Sequence, residues 1–513
     1  MDGVPALALA GIDKRFGDVH ANRAVDLSVA KGSIHGIVGE NGAGKSTLMG
    51  IVYGYYRPDG GTISVDGRPV AIASPQDAIR AGIGMVHQHF MLVETFTVLE
   101  NVLLGAEGGA FLAAGEAAAR AGLSKLMAEY SLDVDLDAKV ADLDVGAQQR
   151  VEILKALYRG ARILILDEPT AVLTPQEAER LFALLARWRD QGRTVLLITH
   201  KLKEILAITD RVTVMRQGAV VATRPTAETS QEELAELMVG RRVLLRVART
   251  DAKPGAEVLR AEDLRHIDAR GVERLRGVSF SVRAGEIVGI AGVSGNGQSE
   301  LIEVLAGLRP LQGGRVLYKG EPLAAPGKAD ACKAARVAHI AHVPEDRLRM
   351  GLVAGHAASE SAILGYQDDA ELGTGPLLSA RAATARTRRL METFDVRPPA
   401  PAQRSGDFSG GNQQKIVLGR EIDRDPDLLI VGQPTRGVDI GAIEFIHRRL
   451  VALRDAGKAI LLVSCELDEI LGLADRILVM FDGRIMGELA RHDADERSLG
   501  LLMAGSLPAA AAE

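Results

Sequence analysis

Residues 24–67 read AVDLSVAKGSIHGIVGENGAGKSTLMGIVYGYYRPDGGTISVDG, and residues 277–320 repeat that plan as GVSFSVRAGEIVGIAGVSGNGQSELIEVLAGLRPLQGGRVLYKG. Each block holds a strand-like apolar run, a Gly-rich turn, a helix-like stretch, then Gly-Gly and a second strand. The correspondence persists downstream: GAQQRVEILKAL with GNQQKIVLGREI, ILILDEPT with LLIVGQPT, and VLLITHKLKEI with ILLVSCELDEI. A chain written twice folds as two copies of one plan. At 513 residues it also exceeds what one core sustains, and two domains of about 250 residues are expected. The copies meet in RRVLLRVARTDAKPGAE, which is polar, basic and broken by Pro254-Gly255. The expected boundaries are 1–240 for the first domain, 241–257 for a linker, 258–505 for the second domain, and 506–513 for a frayed tail.

Short Val/Ile/Leu runs (HGIVG, RILILD, TVLLIT) alternate with helical stretches such as PQEAERLFALLARWRDQG. Wholly apolar runs of this length fit buried strands of a parallel sheet, and the alternation is that of an α/β fold. An apolar fraction of 47% and a charged fraction of 25% are ordinary for a globular protein. The net charge of −6 argues against nucleic-acid binding through a broad basic face, without excluding a local basic patch. Cys332 and Cys465 are the only cysteines, so no disulfide framework is implied and a reducing cytosol fits. The N-terminal MDGVPALALAGIDKRFG lacks the basic region of a secretory signal. No run of about 18 apolar residues is present to span a bilayer. If the chain serves transport, the pore is expected from another chain.

Gly39-Glu40-Asn41-Gly42-Ala43-Gly44-Lys45-Ser46 fits the phosphate-binding loop pattern, between a strand-like SIHGIV and a helix-like STLMGIVYG. The glycines let backbone N–H groups close on phosphate at a helix N-terminus, Lys45 brings a positive charge, and the Ser46 hydroxyl can reach Mg²⁺. ILILDEPT delivers Asp167 from an apolar strand to hold a metal or its water, with Glu168 next to it as a general base. Gln88 can ligate Mg²⁺ or orient water, although a single Gln is more often polar surface. His200 can contact a γ-phosphate, although a His at a strand end is more often structural. Phe16 can stack on adenine or pack in the core.

The order of these features resembles the ATP-binding cassette family: aromatic, phosphate loop, Gln, signature, Asp-Glu strand and His switch, twice over nearly the whole chain. The resemblance implies two tandem P-loop NTPase domains of α/β class. Each has a mixed sheet core, an antiparallel β subdomain and a helical subdomain. It implies ATP and Mg²⁺ as ligands and an ATPase activity. Phe16, Gly39, Glu40, Asn41, Gly42, Ala43, Gly44, Lys45, Ser46 and Thr47 would hold ATP; Ser46, Gln88 and Asp167 would hold the metal; Glu168, His200 and Gln88 would serve catalysis. It also implies an intramolecular pseudo-dimer paired head to tail, each nucleotide lying between one phosphate loop and the other domain's signature.

The two copies differ at the chemistry. Lys45 is matched by Gln298, Gln88 by Glu345, Asp167 by Gly432, Glu168 by Gln433 and His200 by Cys465. Removing one positioned transition-state group costs roughly 10²–10³ in rate, so the second loop should hydrolyse ATP poorly or not at all. Its Gly292, Gly295, Gly297, Gln298 and Ser299 can still cradle phosphate. The second half keeps a good signature, Phe408-Ser409-Gly410-Gly411-Asn412, whereas the first half has Leu143-Asp144-Val145-Gly146-Ala147. Asp144 would repel a phosphate about 4 Å away by roughly 4 kcal/mol per charge pair at an effective dielectric near 20. Equally, it would N-cap the following helix as Ser does. Head-to-tail pairing sets Ser409–Asn412 against the intact loop and gathers every loss in the other site.

GNGQSE and VPEDR in the second half resemble the ATPases of monosaccharide and nucleoside importers. His89, where sugar-type members tend to carry an acidic residue, favours the nucleoside branch. That resemblance implies two integral membrane permease subunits and an extracytoplasmic solute-binding protein, with this chain peripheral at the cytoplasmic face of the inner membrane. The alternatives are a ribose- or galactose-type importer and, remotely, a soluble cassette protein acting on ribosomes or DNA. Thr174 stands where Asp439 stands in the second half, and nothing in the sequence explains that difference.

Overall fold

The computed structural model describes residues 3–87, 91–105, 112–130, 132–143, 145–170, 173, 175–242, 247–293, 295–324, 339–373 and 377–505. The chain divides into two compact units, Met1–Val243 and Leu244–Glu513.

Each unit carries the same pair of sheets. In the first unit a six-stranded sheet runs, edge to edge, Ala219–Pro225, Arg211–Arg216, Ile34–Val38, Thr194–Ile198, Ile163–Asp167 and Ile83–Val86. In the second the order is Arg484–Ala490, Arg476–Phe481, Ile287–Ala291, Ala459–Ser464, Leu428–Gly432 and Ile340–Val343. All neighbours are parallel except the first pair of each sheet, which is antiparallel. A four-stranded antiparallel sheet accompanies each: Val19–Val29, Leu7–Phe16, Gly60–Val65 and Arg68–Val70, then Glu273–Arg283, Glu257–Ile267, Gly313–Tyr318 and Glu321–Ala324. Helical layers follow, including Leu112–Tyr130 and Val145–Tyr158 in one unit and Ala380–Thr393 and Gly410–Ile422 in the other.

The apolar runs become parallel strands because both faces of the sheet are covered. Ile163–Asp167 and Leu428–Gly432 are buried at every residue. Successive side chains of a strand point to opposite faces, and in the second unit the two faces feed separate cores. Leu429, Val431, Ile460 and Leu462 join one cluster; Leu428, Ile430, Leu461 and Val463 join the other. The parallel registers coincide as well. Asp167 pairs with Ile198 and Gly432 with Val463, so the two occupy the same sheet position.

The basic stretch between the copies is tied down from Arg249 onward. Arg249 Nη2 donates to Ala474 O at 2.9 Å, and Arg454 Nη2 donates to Thr250 O at 3.0 Å. Among the described residues no helix is long and apolar enough to cross a membrane.

Candidate functional site

In the first unit the phosphate loop leaves the buried strand Ile34–Val38 and enters the helix Lys45–Val52. Close packing demands its glycines. A Cβ on Gly39 would lie 2.3 Å from Met215 O, and one on Gly44, at φ +94°, would lie 2.3 Å from Ala21 O. Gly44 is the N-cap, and no side chain caps the helix, whose first-turn N–H groups suit an anion. Lys45 is only 6% exposed and its Nζ donates to Gly39 O at 2.7 Å and Glu40 O at 3.0 Å. The ammonium is thereby held at the centre of the loop. Burial lowers its pKa, and the charges of Glu168, Asp167 and Glu40 oppose that shift.

Asp167 and Glu168 follow one another at the strand end, and their environments push them apart. Burial, reinforced by the Glu168 charge, raises the Asp167 carboxyl; Lys45 and a hydrogen bond with Ser46 oppose that. Burial also acts to raise Glu168, but the hydrogen bond and charge of His200, with Lys45 and Lys201, outweigh it and hold Glu168 below its ordinary value. His200 Nδ1 lies 2.8 Å from Glu168 Oε1. Glu168 sits at φ +48°, a left-handed conformation unusual for a non-glycine residue at a strand end. The backbone there is fixed by Glu168 N donating to Ile198 O at 2.8 Å. Ser46 and Asp167, joined by a hydrogen bond, supply the hard oxygen donors that Mg²⁺ prefers, so the pair fits that ion.

Phe16 is 43% exposed, so core packing does not account for it; Tyr56 meets its ring edge-on at 5.2 Å. Gln88, Asp144, Thr174, His89 and Cys332 lie outside the described residues, as does the tail from 506. Asn22, fully buried, was not among the residues singled out from the sequence, yet its Nδ2 donates to Gly44 O at 3.1 Å and steadies the loop. The repeat carried the signal: two residues before the aligned pair 24 and 277 stand Asn22 and Leu275. Gln149, whose Nε2 donates to Pro169 O at 2.7 Å, and Glu204, which accepts from Thr170 and Thr199, brace the turn after Glu168 and were likewise missed.

The second unit preserves this backbone while changing the groups on it. Gly295 and Gly297 have φ +93° and +100°, close to Gly42 and Gly44 at +80° and +94°. Gln433 has φ +46°, as Glu168 has +48°. Gln433 Nε2 donates to Cys465 Sγ at 3.0 Å, and Cys465 N donates to Gln433 Oε1 at 3.2 Å. The residue pair equivalent to Glu168–His200 is therefore still paired, but without a carboxylate or an imidazole.

The second-half signature is an organised helix start. Ser409 is the exposed N-cap of Gly410–Ile422, and its Oγ accepts from Asn412 N at 3.5 Å and Asn412 Nδ2 at 2.9 Å. Asn412 is pinned by reciprocal bonds with Arg397 N and O, at 3.0 and 2.8 Å. A Cβ on Gly411 would lie 2.7 Å from Asp439 Oδ2, so glycine lets Asp439 cap Ile440–Asp455 beside it.

Residues 22–171 and 275–436 match the ABC transporter family. The chain is 48% identical over 502 residues to the guanosine import ATP-binding protein NupO of Bacillus subtilis, covering 98% of this chain and 97% of that protein. It is 46% identical over 532 residues to the glucose import ATP-binding protein TsgD13 of Haloferax volcanii, covering 98% and 96%. With the nucleoside import ATP-binding protein NupA of Lactococcus lactis it shares 45% identity over 499 residues, 97% of this chain and 98% of that one. Two matched cassettes, each rebuilt on the same pair of sheets, and full-length relatives of this kind place the chain in the ABC transporter family, as an ATPase of two fused ATP-binding cassettes.

Proposed function

We propose that the chain energises import of a nucleoside, purine nucleosides foremost, hydrolysing ATP at one composite site on the cytoplasmic face of the membrane. Two integral membrane permeases would form the pore and an extracytoplasmic binding protein would deliver the solute. The observation that carries this reading is the division of chemistry between the halves. Lys45, Asp167 and the Glu168–His200 pair stand in the first unit; Gln298, Gly432 and the Gln433–Cys465 pair stand at the equivalent positions of the second. Head-to-tail pairing would gather these losses, with the altered signature at Asp144, in one composite site and leave a single working site completed by Ser409–Asn412, whereas unselected decay would scatter them.

At that site the backbone N–H groups of residues 39–46 and the Lys45 ammonium bind the β- and γ-phosphates, and the exposed Phe16 ring would stack on the adenine. Ser46 and Asp167, with Gln88 from the sequence pattern, would hold Mg²⁺, which would supply neutralising charge for the phosphates. Glu168, ionised and oriented by His200, accepts a hydrogen bond from the attacking water and takes its proton. The Ser409 helix start brings N–H donors to the γ-phosphate from the other half. Hydrolysis removes the group both halves grip, and they reopen.

The pH dependence follows from the Glu168–His200 pair. Glu168's lowered value keeps the base ionised as pH falls past the ordinary carboxylate range. The preference for the charged form is lost only as pH falls through that lowered value. In a His200→Ala variant burial is left with less opposition and the carboxyl value rises. The acid limb of the ATPase profile should then move to higher pH, beyond any drop in plateau rate. An unmoved acid limb would remove His200 from the control of Glu168.

The nucleoside assignment rests on His89 and on the guanosine and nucleoside import relatives; the glucose import relative supports a monosaccharide as the second reading. Uptake by cells that express the chain with its permeases and binding protein decides between them. Labelled guanosine should accumulate in an ATP-dependent manner and labelled ribose and glucose should not. Sugar uptake without guanosine uptake would reverse the assignment.

A further inference from the structure

Arg347, the last residue of the VPEDR stretch, gathers distant segments of the second unit. Its Nε donates to Gln413 Oε1 at 3.1 Å, its Nη1 to Arg436 O at 2.8 Å and its Nη2 to Gly437 O at 3.3 Å, partners 66, 89 and 90 positions away. All three acceptors are neutral, so the planar fork of the guanidinium sets these contacts, and not an ion pair. Arg347 is itself fixed at the head of the turn Arg347–Gly351, where Leu352 N donates to Arg347 O at 2.8 Å. Asp346 caps that turn, accepting from Leu348 N and Arg349 N at 3.0 Å each. Gln413 is 5% exposed, and its Nε2 donates to Ser405 O and Gly406 O at 3.2 and 3.3 Å. Its amide is thus oriented from both ends, and without Arg347 the buried oxygen would lose the donor it faces.

The helix start at Ser409 is seated on the segment that Arg347 holds. A Cβ on Gly410 would lie 2.6 Å from both Arg347 Nη2 and Gly437 O, and Gly411 leaves room in the same way for Asp439. Arg347 therefore grips the helix Gly410–Ile422 through Gln413, within its first turn, and grips residues 436–437, on which that turn rests. The two copies differ here as well. The alignment that sets Gln88 against Glu345 sets Phe90 against Arg347, and the one that sets Asp144 against Ser409 sets Val145 against Gly410. Where the signature keeps its serine, an arginine stands with a glycine that makes room for it. Where aspartate replaces the serine, both positions are apolar, and the sequence supplies neither the fork nor the gap.

We propose that Arg347 is a positioning residue for ATP hydrolysis: it clamps the signature helix to residues 436–437 and so sets Ser409 and the N–H groups after it where they meet the γ-phosphate held by the first loop. This role rests on the head-to-tail composite site proposed above, and Arg347 acts through the helix start, not on the phosphate itself. Single-turnover phosphate release by the full-length chain, with melting curves for folding, tests it. Arg347→Ala should slow release by about 10- to 100-fold, since a misplacement of about 1 Å can cost about 10²-fold. Arg347→Lys keeps the charge but not the fork, and should lose nearly as much; a parental rate in Arg347→Lys would overturn the proposal. A double-mutant cycle with Ser409→Asp separates positioning from a general loosening of the unit. Once Ser409→Asp has disabled the signature, adding Arg347→Lys should cost less than about twofold, because residues that act through one contact are not additive. A full Arg347→Lys loss in that background would mean that the arginine acts elsewhere, and the proposal would fall. Ser409→Asp at the parental rate would remove the composite site and this role with it, whereas an impaired Ser409→Asp beside a parental Arg347→Ala would remove the role of Arg347 alone. Should Arg347→Ala not fold, Arg347→Lys and the cycle decide.

Discussion

In a Glu168→Gln chain ATP turnover should fall by roughly 10²–10⁴-fold, the usual contribution of a positioned general base, whereas Gln433→Ala should turn over much as the parent does. The first change removes a charge and little else. The amide is isosteric with the carboxylate and can still meet His200. The backbone at that point, φ +48°, already accepts glutamine in this protein, since Gln433 occupies the equivalent turn at φ +46°. Loss of rate therefore reports the missing base and not a misfolded strand end. Gln433 bonds Cys465 in a pair that has no acid to ionise and no imidazole to respond to it. Steady-state phosphate release measured on both variants, with melting curves as the folding control, decides the matter. Comparable losses in the two would mean that both loops hydrolyse, and the single-site reading would fall.

The sheet architecture was legible in the sequence because the physics behind it is local. Ile163–Asp167 and Leu428–Gly432 announce themselves as unbroken apolar runs, which is what a strand covered on both faces requires. The duplication made each half a control for the other, so that Lys45 against Gln298 or Glu168 against Gln433 could be read as a difference in chemistry on a constant backbone. The matching φ angles in the two loops show that the backbone is indeed constant there. What the sequence concealed is long-range and polar. Asn22 reaches Gly44 across 22 positions, and Gln149 reaches Pro169 across 20. Nothing in the residues around Asn22 marks it, since an Asn at a strand reads as a poor strand former. Only its replacement by Leu275 in the other copy hints at a role. The fit of Gly410 to Arg347 was equally hidden. Each reads alone as a residue of its own motif, and their contact appears only when a missing Cβ and a neighbouring side chain are placed in the same space.

Ser409→Asp should abolish most ATP turnover although Ser409 and Glu168 belong to different units. The substitution copies into the second signature what the first already has at Asp144. Ser409 has two duties that the substitution separates. As N-cap it accepts from Asn412 N, a duty aspartate performs equally well, so the helix Gly410–Ile422 should persist and the melting temperature should hold. As a phosphate neighbour in the proposed composite site it is a neutral hydroxyl, and aspartate brings a charge. At about 4 Å and an effective dielectric near 20, one such pair repels by roughly 4 kcal/mol, and each 1.4 kcal/mol is about tenfold. Turnover should drop by about three orders of magnitude at fixed ATP, with Ser409→Asn, which also caps but carries no charge, closer to the parent. Asp144→Ser, by contrast, should leave the rate near its starting value, because the loop it would serve lacks Lys45, Asp167 and Glu168 counterparts. A Ser409→Asp chain that folds and hydrolyses ATP at the parental rate would mean that this helix start meets no γ-phosphate during turnover, and the head-to-tail pairing of residues 39–46 with 409–412 would have to be given up.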